Sequence, residues 1–458
     1  MTEEEKEQQA RILAFNRRME EGLNKKSLLS SMELSTEEAK RDFGQKMMDE
    51  KLRALVPEDG SGKPCPKCGM TVRVRRKDVP RTFKSLSGVH TFVRHHHFCD
   101  NCKQGFYPRD QELGLPPDSE VSTEVAKRLA DFYLNDPYEI AEKRWPIHYP
   151  FMKASANQFR QDAERLGEKL EAADEAMLEG ALQPARTEAA EVLYVQNDGS
   201  MVPMQKGEWK EVKSAVLFTS EGHVRGDEEK SRGQILDARY VSVLGNQEAF
   251  KKVLRPALKL ANAMQSAVVV WLADGAKGNW ALAQQLCPRA IQILDWFHAV
   301  EHSVHVAKLL FGESDVRVEW FQLRVEELLG KGQIKLLLRE LRECIELAPS
   351  GAPLKALTEL IGYYRSNQKR MRYDVYRAKG WLVSSGVIES THRHVIQARM
   401  KRAGQHWGHR GGRQMARMRA AYKTAGPDRF FDAIHWAHRE TMLHGRLPKP
   451  LKRRASNR

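Results

Sequence analysis

Apolar positions follow two different rhythms along the chain. Residues 1 to about 55 are rich in Glu, Lys, Gln and Leu with few breakers, which predicts solvated helix. Pro57-Glu58-Asp59-Gly60-Ser61-Gly62 predicts a linker, and a cysteine-bearing module follows to about Pro108. From Asp118 to Ala173 the pattern is helical. Val125-Ala126 and Leu129-Ala130 recur at i, i+4, Asn135-Asp136-Pro137 interrupts, and a second helix runs through Ser155 to Phe159 and beyond. Such a pair can be a helix-turn-helix or an ordinary helix pair.

From Ala190 the rhythm changes. Val192-Leu193-Tyr194-Val195 predicts a short strand ending at Asn197-Asp198-Gly199. Trp209 to Thr219, His223-Val224 and Ala238 to Leu244 predict further strands. Ala267 to Leu272 and Ala290 to Leu294 are continuous apolar runs of the buried-strand type, stopping at Asp274 and Asp295. Trp280 to Leu286 and a stretch from Asp295 toward Leu310 predict helices between and after them. Antiparallel strands followed by strand-helix-strand units predict a mixed α/β sheet. Residues 315 to 378 read as wholly helical, Gly386 to Met400 as a further helix, and the basic end as helix with a loose tail at Pro448-Lys449-Pro450.

A chain of 458 residues is long enough for two to four domains, and 41% hydrophobic with 29% charged residues is the composition of a globular protein. The start MTEEEKEQQA has no apolar core for a secretory signal, and the longest apolar run, Ala267 to Ala273, is too short for a bilayer. Six cysteines make no disulfide framework, so the expected location is a reducing cytoplasm. The net charge of +15 is unevenly placed: Arg365 to Arg458 holds 23 Lys and Arg against 5 Asp and Glu. That asymmetry predicts a polyanion partner, nucleic acid before membrane, or else a solubilising tail.

Cys65-Pro66-Lys67-Cys68 and Cys99-Asp100-Asn101-Cys102 are two C-x-x-C knuckles separated by 30 residues. Two knuckles can offer four thiolates to one tetrahedral Zn²⁺, and an all-cysteine set is a closed, structural site. The intervening loop carries Arg73, Arg75, Arg76 and Lys77, available to phosphates or to solvent. His95, His96 and His97 beside the second knuckle read as exposed strand residues, and Cys287 and Cys344 as buried apolar ones.

Asp198, Asp274 and Asp295 each stand where an α/β sheet gathers functional groups, at strand ends. Grouped carboxylates repel unless a hard cation neutralises them. Spacing alone is a weak signal, since Asp-Gly is also an ordinary turn. A longer order of blocks is specific: NDGSMVPM from Asn197, EWKEVK from Glu208, LADGA from Leu272, IQILDWFHAVEH from Ile291, SGVIES from Ser385 and QARMK from Gln397. In that order the chain resembles bacterial insertion-sequence transposases of the Kra and Lre type, within the Mutator-like group of DDE transposases. The resemblance runs from the cysteine module to about Tyr422.

The resemblance implies an RNase H-like α/β core at 186–400 with a helical insertion at about 315–378. Before it come a helical region (1–56), a zinc ribbon (57–110) and a helical DNA-binding region (111–185); a basic DNA-binding region (401–458) follows. It places the DDE carboxylates on Asp198, Asp274 and Glu389, holding two Mg²⁺ or Mn²⁺ ions, and an accessory D-x-x-H signature on Asp295 and His298. Asp274 is preferred to Asp295 as second ligand. The first block has Asp-Gly-Ser where the family pattern often has Asp-Gly-Thr, which retains the hydroxyl. Arg393, four residues after Glu389, would steady the carboxylate or a phosphate, and Arg399, Lys401 and Arg402 would join it on DNA. The implied partners are element terminal repeats and target DNA, with no membrane, and a homodimer or higher oligomer in the active complex. Trp407 and Trp436 read as core packing or as base-stacking residues.

A rival signature overlaps. His298-Ala299-Val300-Glu301-His302 fits H-x-x-E-H, a zinc-peptidase pattern, with His305 on the same face. It explains neither the aspartates nor the basic end. A third expectation is a non-catalytic DNA-binding protein derived from a transposase.

Overall fold

The computed structural model describes residues 28–56, 58–115, 119–178, 188–224 and 233–443, with isolated positions between Lys6 and Arg17. Pro57, Asp118, the Trp436 side chain, the Pro448-Lys449-Pro450 tail and most of the first predicted helix before Leu28 fall outside the described residues. The chain divides into two compact units. The first takes the described residues of 1–133, 137–160 and 439–443, the second those of 134–136 and 161–438.

In the first unit, helix α1 (Leu28–Arg53) precedes a small pair, β1 (Lys63–Pro64) and β2 (Thr71–Val72). A long antiparallel hairpin follows, β3 (Val74–Lys84) with β4 (Val89–Cys99), and β5 (Gln104–Phe106) adds to its far edge. The hairpin accounts for the wide gap between the cysteine knuckles. Phe83, Phe92 and Leu115 form a small buried cluster. Arg81 is buried against Asp110 at 2.8 Å, so the paired charges leave no isolated ion in the interior. His95 and His97 are buried, contrary to the exposed positions expected, because the alternate residues of β4 face the interior. Helices α2 (Pro108–Glu112), α3 (Thr123–Asn135), α4 (Tyr138–His148) and α5 (Ala156–Leu178) follow, α5 belonging to the second unit from Gln161 onward. Asn135-Asp136-Pro137 separates α3 from α4, as the breaker pattern predicts. Trp145 is fully buried and donates its indole N–H to the Met152 carbonyl at 2.7 Å.

The second unit is built on a five-stranded mixed sheet. Its strands are β6 (Val192–Pro203), β7 (Trp209–Thr219), β10 (Ala238–Leu244), β11 (Val268–Ala273) and β12 (Ile291–Leu294), in the order β10-β7-β6-β11-β12. β7 is antiparallel to both of its neighbours, β6 and β10, while β11 and β12 run parallel to β6. A minor pair, β8 (His223–Val224) with β9 (Gln234–Ile235), lies between β7 and β10 in sequence.

One expectation changes here. β6 is not a short strand stopping at Asn197-Asp198-Gly199; it continues for 12 residues to Pro203. β7 pairs along its whole length, from Leu193↔Thr219 to Pro203↔Trp209. The continuous ladder to β7 pairs the backbone through this stretch, which outweighs the local turn preference of Asp-Gly. Asp198 therefore stands in mid-strand.

Parallel strands need crossovers, and helices supply them: α6 (Gln247–Leu260) between β10 and β11, and α7 (Lys277–Leu286) between β11 and β12. Asn246 caps α6 by accepting from the Ala249 N–H. β11 is an interior strand and buried, with Val270, Trp271 and Leu272 at 0% exposure. Each such side chain contributes about 1.5–3 kcal/mol by leaving water. The helix predicted from Asp295 is α8 (Trp296–Phe311), and the helical block predicted at 315–378 is present as α9 (Val316–Gly330), α10 (Ile334–Leu347), α11 (Ala352–Asn367) and α12 (Tyr373–Ala378). Tyr364 on α11 donates to the Ala299 carbonyl at 2.7 Å and Tyr373 on α12 to the Leu294 carbonyl at 3.0 Å, binding the block to β12 and α8. α13 (Gly386–Thr391) leads into a π-helical turn, His392–Gln397, and then Ala398–Met400. α14 (His409–Leu443) closes the unit, broken at Gly426, whose φ is 71°. Among the described residues no helix is long and apolar enough to cross a membrane.

Candidate functional site

The sheet register brings the predicted aspartates into one row. β6 and β11 pair in parallel from Val268↔Val192 to Leu272↔Gln196, so two residues further on Asp274 comes level with Asp198. β11 and β12 pair to Ala273↔Leu294, and the Asp295 N–H donates to the Ala273 carbonyl at 3.0 Å, which brings Asp295 level with Asp274. Adjacent strands lie about 4.8 Å apart, so this row places three carboxylates across three neighbouring strands.

Each aspartate is held differently. Asp198 is half-buried, and its Oδ1 accepts from the Gly199 N–H at 2.7 Å. Its Oδ2 faces the His392 ring, with Nδ1 at 3.8 Å. Asp274 follows the last residue of β11; its Oδ1 accepts from the Ala276 N–H at 3.0 Å and the Asn279 amide at 2.8 Å. Asn279 in turn accepts from Asn197 at 2.8 Å, and Asn197 accepts from the Trp271 indole at 2.7 Å. This chain of side-chain bonds fixes the Asp274 loop to the residue preceding Asp198. Gly275, at φ 88°, makes the exit from β11, and a Cβ there would meet the Tyr363 hydroxyl at 2.5 Å. Tyr363 uses that hydroxyl to hold the Asp274 carbonyl at 2.9 Å. Burial, with Asp274 and Asp295 nearby, pushes the Tyr363 hydroxyl well above its ordinary value, so it remains a donor.

Asp295 is fully buried and fully used. Its Oδ1 caps α8 by accepting from the Phe297 N–H at 2.8 Å, and its Oδ2 accepts the Ser385 N–H at 3.2 Å and the Ser385 hydroxyl. It fastens β12 and α8 to the segment that leads into α13. His298, its partner in the D-x-x-H pattern, has a side chain 39% exposed and lies 3.7 Å from Glu301.

Gln196 fixes α13 over β6. Its amide N–H donates to the Ser384 carbonyl at 3.2 Å, and its carbonyl oxygen accepts from the Ile388 N–H at 3.1 Å. Gln196 and Asp198 are two residues apart and face the same side of the sheet. Glu389 is the next residue on that helix, and His392 follows one turn later against Asp198. Glu389 is exposed and its carboxylate has no hydrogen-bond or ion-pair partner among the described residues. Arg393 does not pair with it, contrary to expectation: the π-helical turn begins at His392 and departs from the regular i, i+4 geometry. The carbonyls of that widened turn are held by the buried Arg419, which donates to Val395 at 2.9 Å and to His394.

Asp198 and Asp274 are each anchored through one oxygen, and no donor is within hydrogen-bond distance of the other among the described residues. With Glu389 they offer hard oxygen donors, the chemistry that suits Mg²⁺ or Mn²⁺. They are not a closed ligand cluster. Among the described residues, the group of His, Cys, Asp or Glu whose donor atoms all lie within 4.8 Å of one another is Cys65, Cys68, Cys99 and Cys102. There the Cys65–Cys102 and Cys68–Cys99 sulfur separations are 4.0 and 3.6 Å. Sulfurs at the corners of a zinc tetrahedron with bonds of about 2.3 Å lie about 3.8 Å apart, so this set fits Zn²⁺. The Met70 backbone and neighbouring thiols draw the Cys68 thiol down to about 6, while the Cys68 side chain and burial push Cys102 up to about 12. Four thiolates this close would require a cation among them.

The H-x-x-E-H residues are not gathered in this way. His302 is exposed and packs on the Tyr363 ring at 4.6 Å between centroids, while the Glu301 side chain is 78% exposed.

The basic residues divide into two kinds. Arg73, Arg75, Arg76, Lys77, Arg393, Lys401 and Arg402 are exposed, Arg402 also donating to the Asn135 carbonyl at 2.7 Å. Arg399 does not meet the expectation of a DNA contact: it is 0% exposed and stacks on the Trp407 ring at 5.0 Å, out of reach of a phosphate. Trp407 itself is buried and donates to the Met400 carbonyl. Further arginines of the basic end are paired with acidic residues of the same chain. Arg410 pairs with Glu164 and Glu168, and Arg413 and Arg417 with Glu171, on α5. The sequence signal missed was the run of glutamates spaced three or four apart in α5, which matches the arginine spacing of α14.

No curated protein matches the chain. One family model matches residues 16–440, nearly the whole length, and by that match the chain belongs to the uncharacterised protein family UPF0236.

Proposed function

We propose that the chain is a DNA transposase with an RNase H-like core, cutting DNA at the ends of an insertion sequence and joining the released 3′ ends to target DNA. The observation that carries this reading is the level placement of Asp198 and Asp274 on adjacent parallel strands, with Glu389 held over the same sheet by Gln196. The strand order supports the core assignment: three antiparallel strands, then two parallel to the first, with the carboxylates on the first strand, after the fourth and on a later helix.

Asp198, Asp274 and Glu389 would hold two Mg²⁺ or Mn²⁺ ions. When bound, these supply Lewis acidity and charge neutralisation for an in-line displacement at phosphorus. The residues of the chain do the positioning. Gly199 N–H and the Asn279 amide each fix one carboxylate oxygen, which would leave the second available to an ion. Asp295 supports this set and does not join it, since its oxygens already accept from Phe297 and Ser385. No covalent bond between protein and DNA is needed. The exposed hairpin arginines Arg73, Arg75 and Arg76 with Lys77, and Arg393, Lys401 and Arg402, would contact phosphates. The cysteine module would carry structural zinc. Pairing two DNA ends would call for at least a dimer.

The test is cleavage of labelled duplex from the ends of the encoding element, in Mg²⁺, by wild type, Asp274→Asn and Asp295→Asn. Wild type should cut and Asp274→Asn should not. Activity that survives in Asp274→Asn but vanishes in a fully folded Asp295→Asn would reassign the second ligand. No cutting by wild type in either metal would leave a non-catalytic DNA-binding protein.

A further inference from the structure

His392 has no role in the reading above, yet its environment is not that of a packing residue. Its side chain is 7% exposed, with Nδ1 3.8 Å from Asp198 Oδ2, and its Nε2 is buried without a hydrogen-bond partner among the described residues. A buried polar atom left unpaired is a cost that a leucine or phenylalanine of similar volume would not carry. The ring stands at the start of the π-helical turn, a rare and strained geometry that recurs at functional positions. Arg419 holds the turn from beneath through the His394 and Val395 carbonyls. The charged groups that act on the ring are Asp198, Lys401 and Glu211. Glu211 is already paired with Lys213 at 2.6 Å. Its carboxylate also lies over Gly199, where a Cβ would come within 1.9 Å of it. Asp198 therefore faces the imidazole with one oxygen anchored and the other not.

We propose that His392 is a positioning residue for Asp198: its Nδ1 edge orients the free Oδ2 so that the carboxylate presents that oxygen to a divalent cation. This rests on the carboxylate reading above. Outer partners of metal-binding side chains act in this way by removing alternative orientations of the ligand. The placement also couples two ligands, because Glu389 and His392 lie one turn apart on one helical segment. A shift of α13 that moves Glu389 moves the group that orients Asp198.

The test is Mn²⁺ binding to the full-length, zinc-loaded chain, followed by the loss of the free-ion electron paramagnetic resonance signal. The variants are His392→Phe, His392→Asn and His392→Gln, with Asp198→Asn as reference. An Asn amide can occupy the Nδ1 position, whereas a Gln amide reaches the Nε2 position. His392→Phe and His392→Gln should bind Mn²⁺ about tenfold more weakly, and His392→Asn should stay within about threefold of wild type. Equal affinity in wild type and a folded His392→Phe overturns the proposal. So does equal affinity in the Asn and Gln variants, a comparison that decides the matter alone if the Phe variant fails to fold. Wild type that binds no more Mn²⁺ than Asp198→Asn overturns the carboxylate reading and this inference together. A flat His392 series on a wild type that does bind overturns the role of His392 only.

Discussion

Asp198 and Asp274 stand level on adjacent parallel strands, and each ties one carboxylate oxygen to a backbone N–H just ahead of it, Gly199 and Ala276. The second oxygens are left without donors among the described residues. Like charges on neighbouring strands repel, and a cation placed between them would relieve that repulsion.

Asp198→Asn should therefore raise the melting temperature in buffer without added divalent cation. Relief of about 1 kcal/mol corresponds to about 2–4 °C for a unit of this size. Added Mg²⁺ should raise the wild-type melting temperature and leave the variant unmoved, because a ligand stabilises the state that binds it. Scanning calorimetry decides this, and a variant less stable than wild type without cation would count against that repulsion.

Asp295 makes the opposite prediction. Ser385→Ala removes a hydroxyl that a fully buried carboxylate accepts from, and should cost about 1–3 kcal/mol, seen as a lower urea midpoint with an unchanged slope. The loss should also reduce cleavage, since Ser385 leads into the helix that carries Glu389. An unchanged urea midpoint would mean that the bond contributes nothing.

Purified protein should contain one zinc held by Cys65, Cys68, Cys99 and Cys102. Cys99→Ser or chelation should abolish the hydrogen-exchange protection of the β3–β4 hairpin and leave that of β6 and β11 intact. Hairpin protection that survives complete zinc removal would show that Phe83, Phe92 and Leu115 suffice to hold it.

Acid should weaken the second unit. Burial holds the His302 and His394 imidazoles below their ordinary value of 6.5. In the folded state these rings bind fewer protons than in the unfolded state, so stability is complete above about pH 6.5 and falls as the pH drops through that value. Urea midpoints at pH 7.5 and 5.5 measure the loss, and His302→Gln with His394→Gln should shrink the difference. A double variant as pH-sensitive as wild type would place the effect elsewhere.

Much of the frame was legible in the chain. Apolar runs at β11 and β12, the apolar clusters of β7 and β10, and the helical block after residue 315 appear where the patterns put them, because burial writes itself into residue order. The cysteine knuckles were equally plain. The extent of β6 was not: Asn197-Asp198-Gly199 has the local character of a turn, and only pairing with β7 makes it strand. The basic end misled in a similar way. Its charge is written in the sequence, but Arg410, Arg413 and Arg417 meet glutamates more than two hundred positions away, and Arg399 and Arg419 are buried.

The sequence by itself determined the residue types, their order and the periodicity that makes strand or helix, since these depend on neighbours a few positions apart. The tertiary structure alone decided which aspartate is spent on support and which retains an unsatisfied oxygen. Asp274 and Asp295 end similar strands 21 positions apart. What separates them is Ser385, which the fold brings to one and not to the other, and a hydrogen bond formed across 90 positions has no local signature.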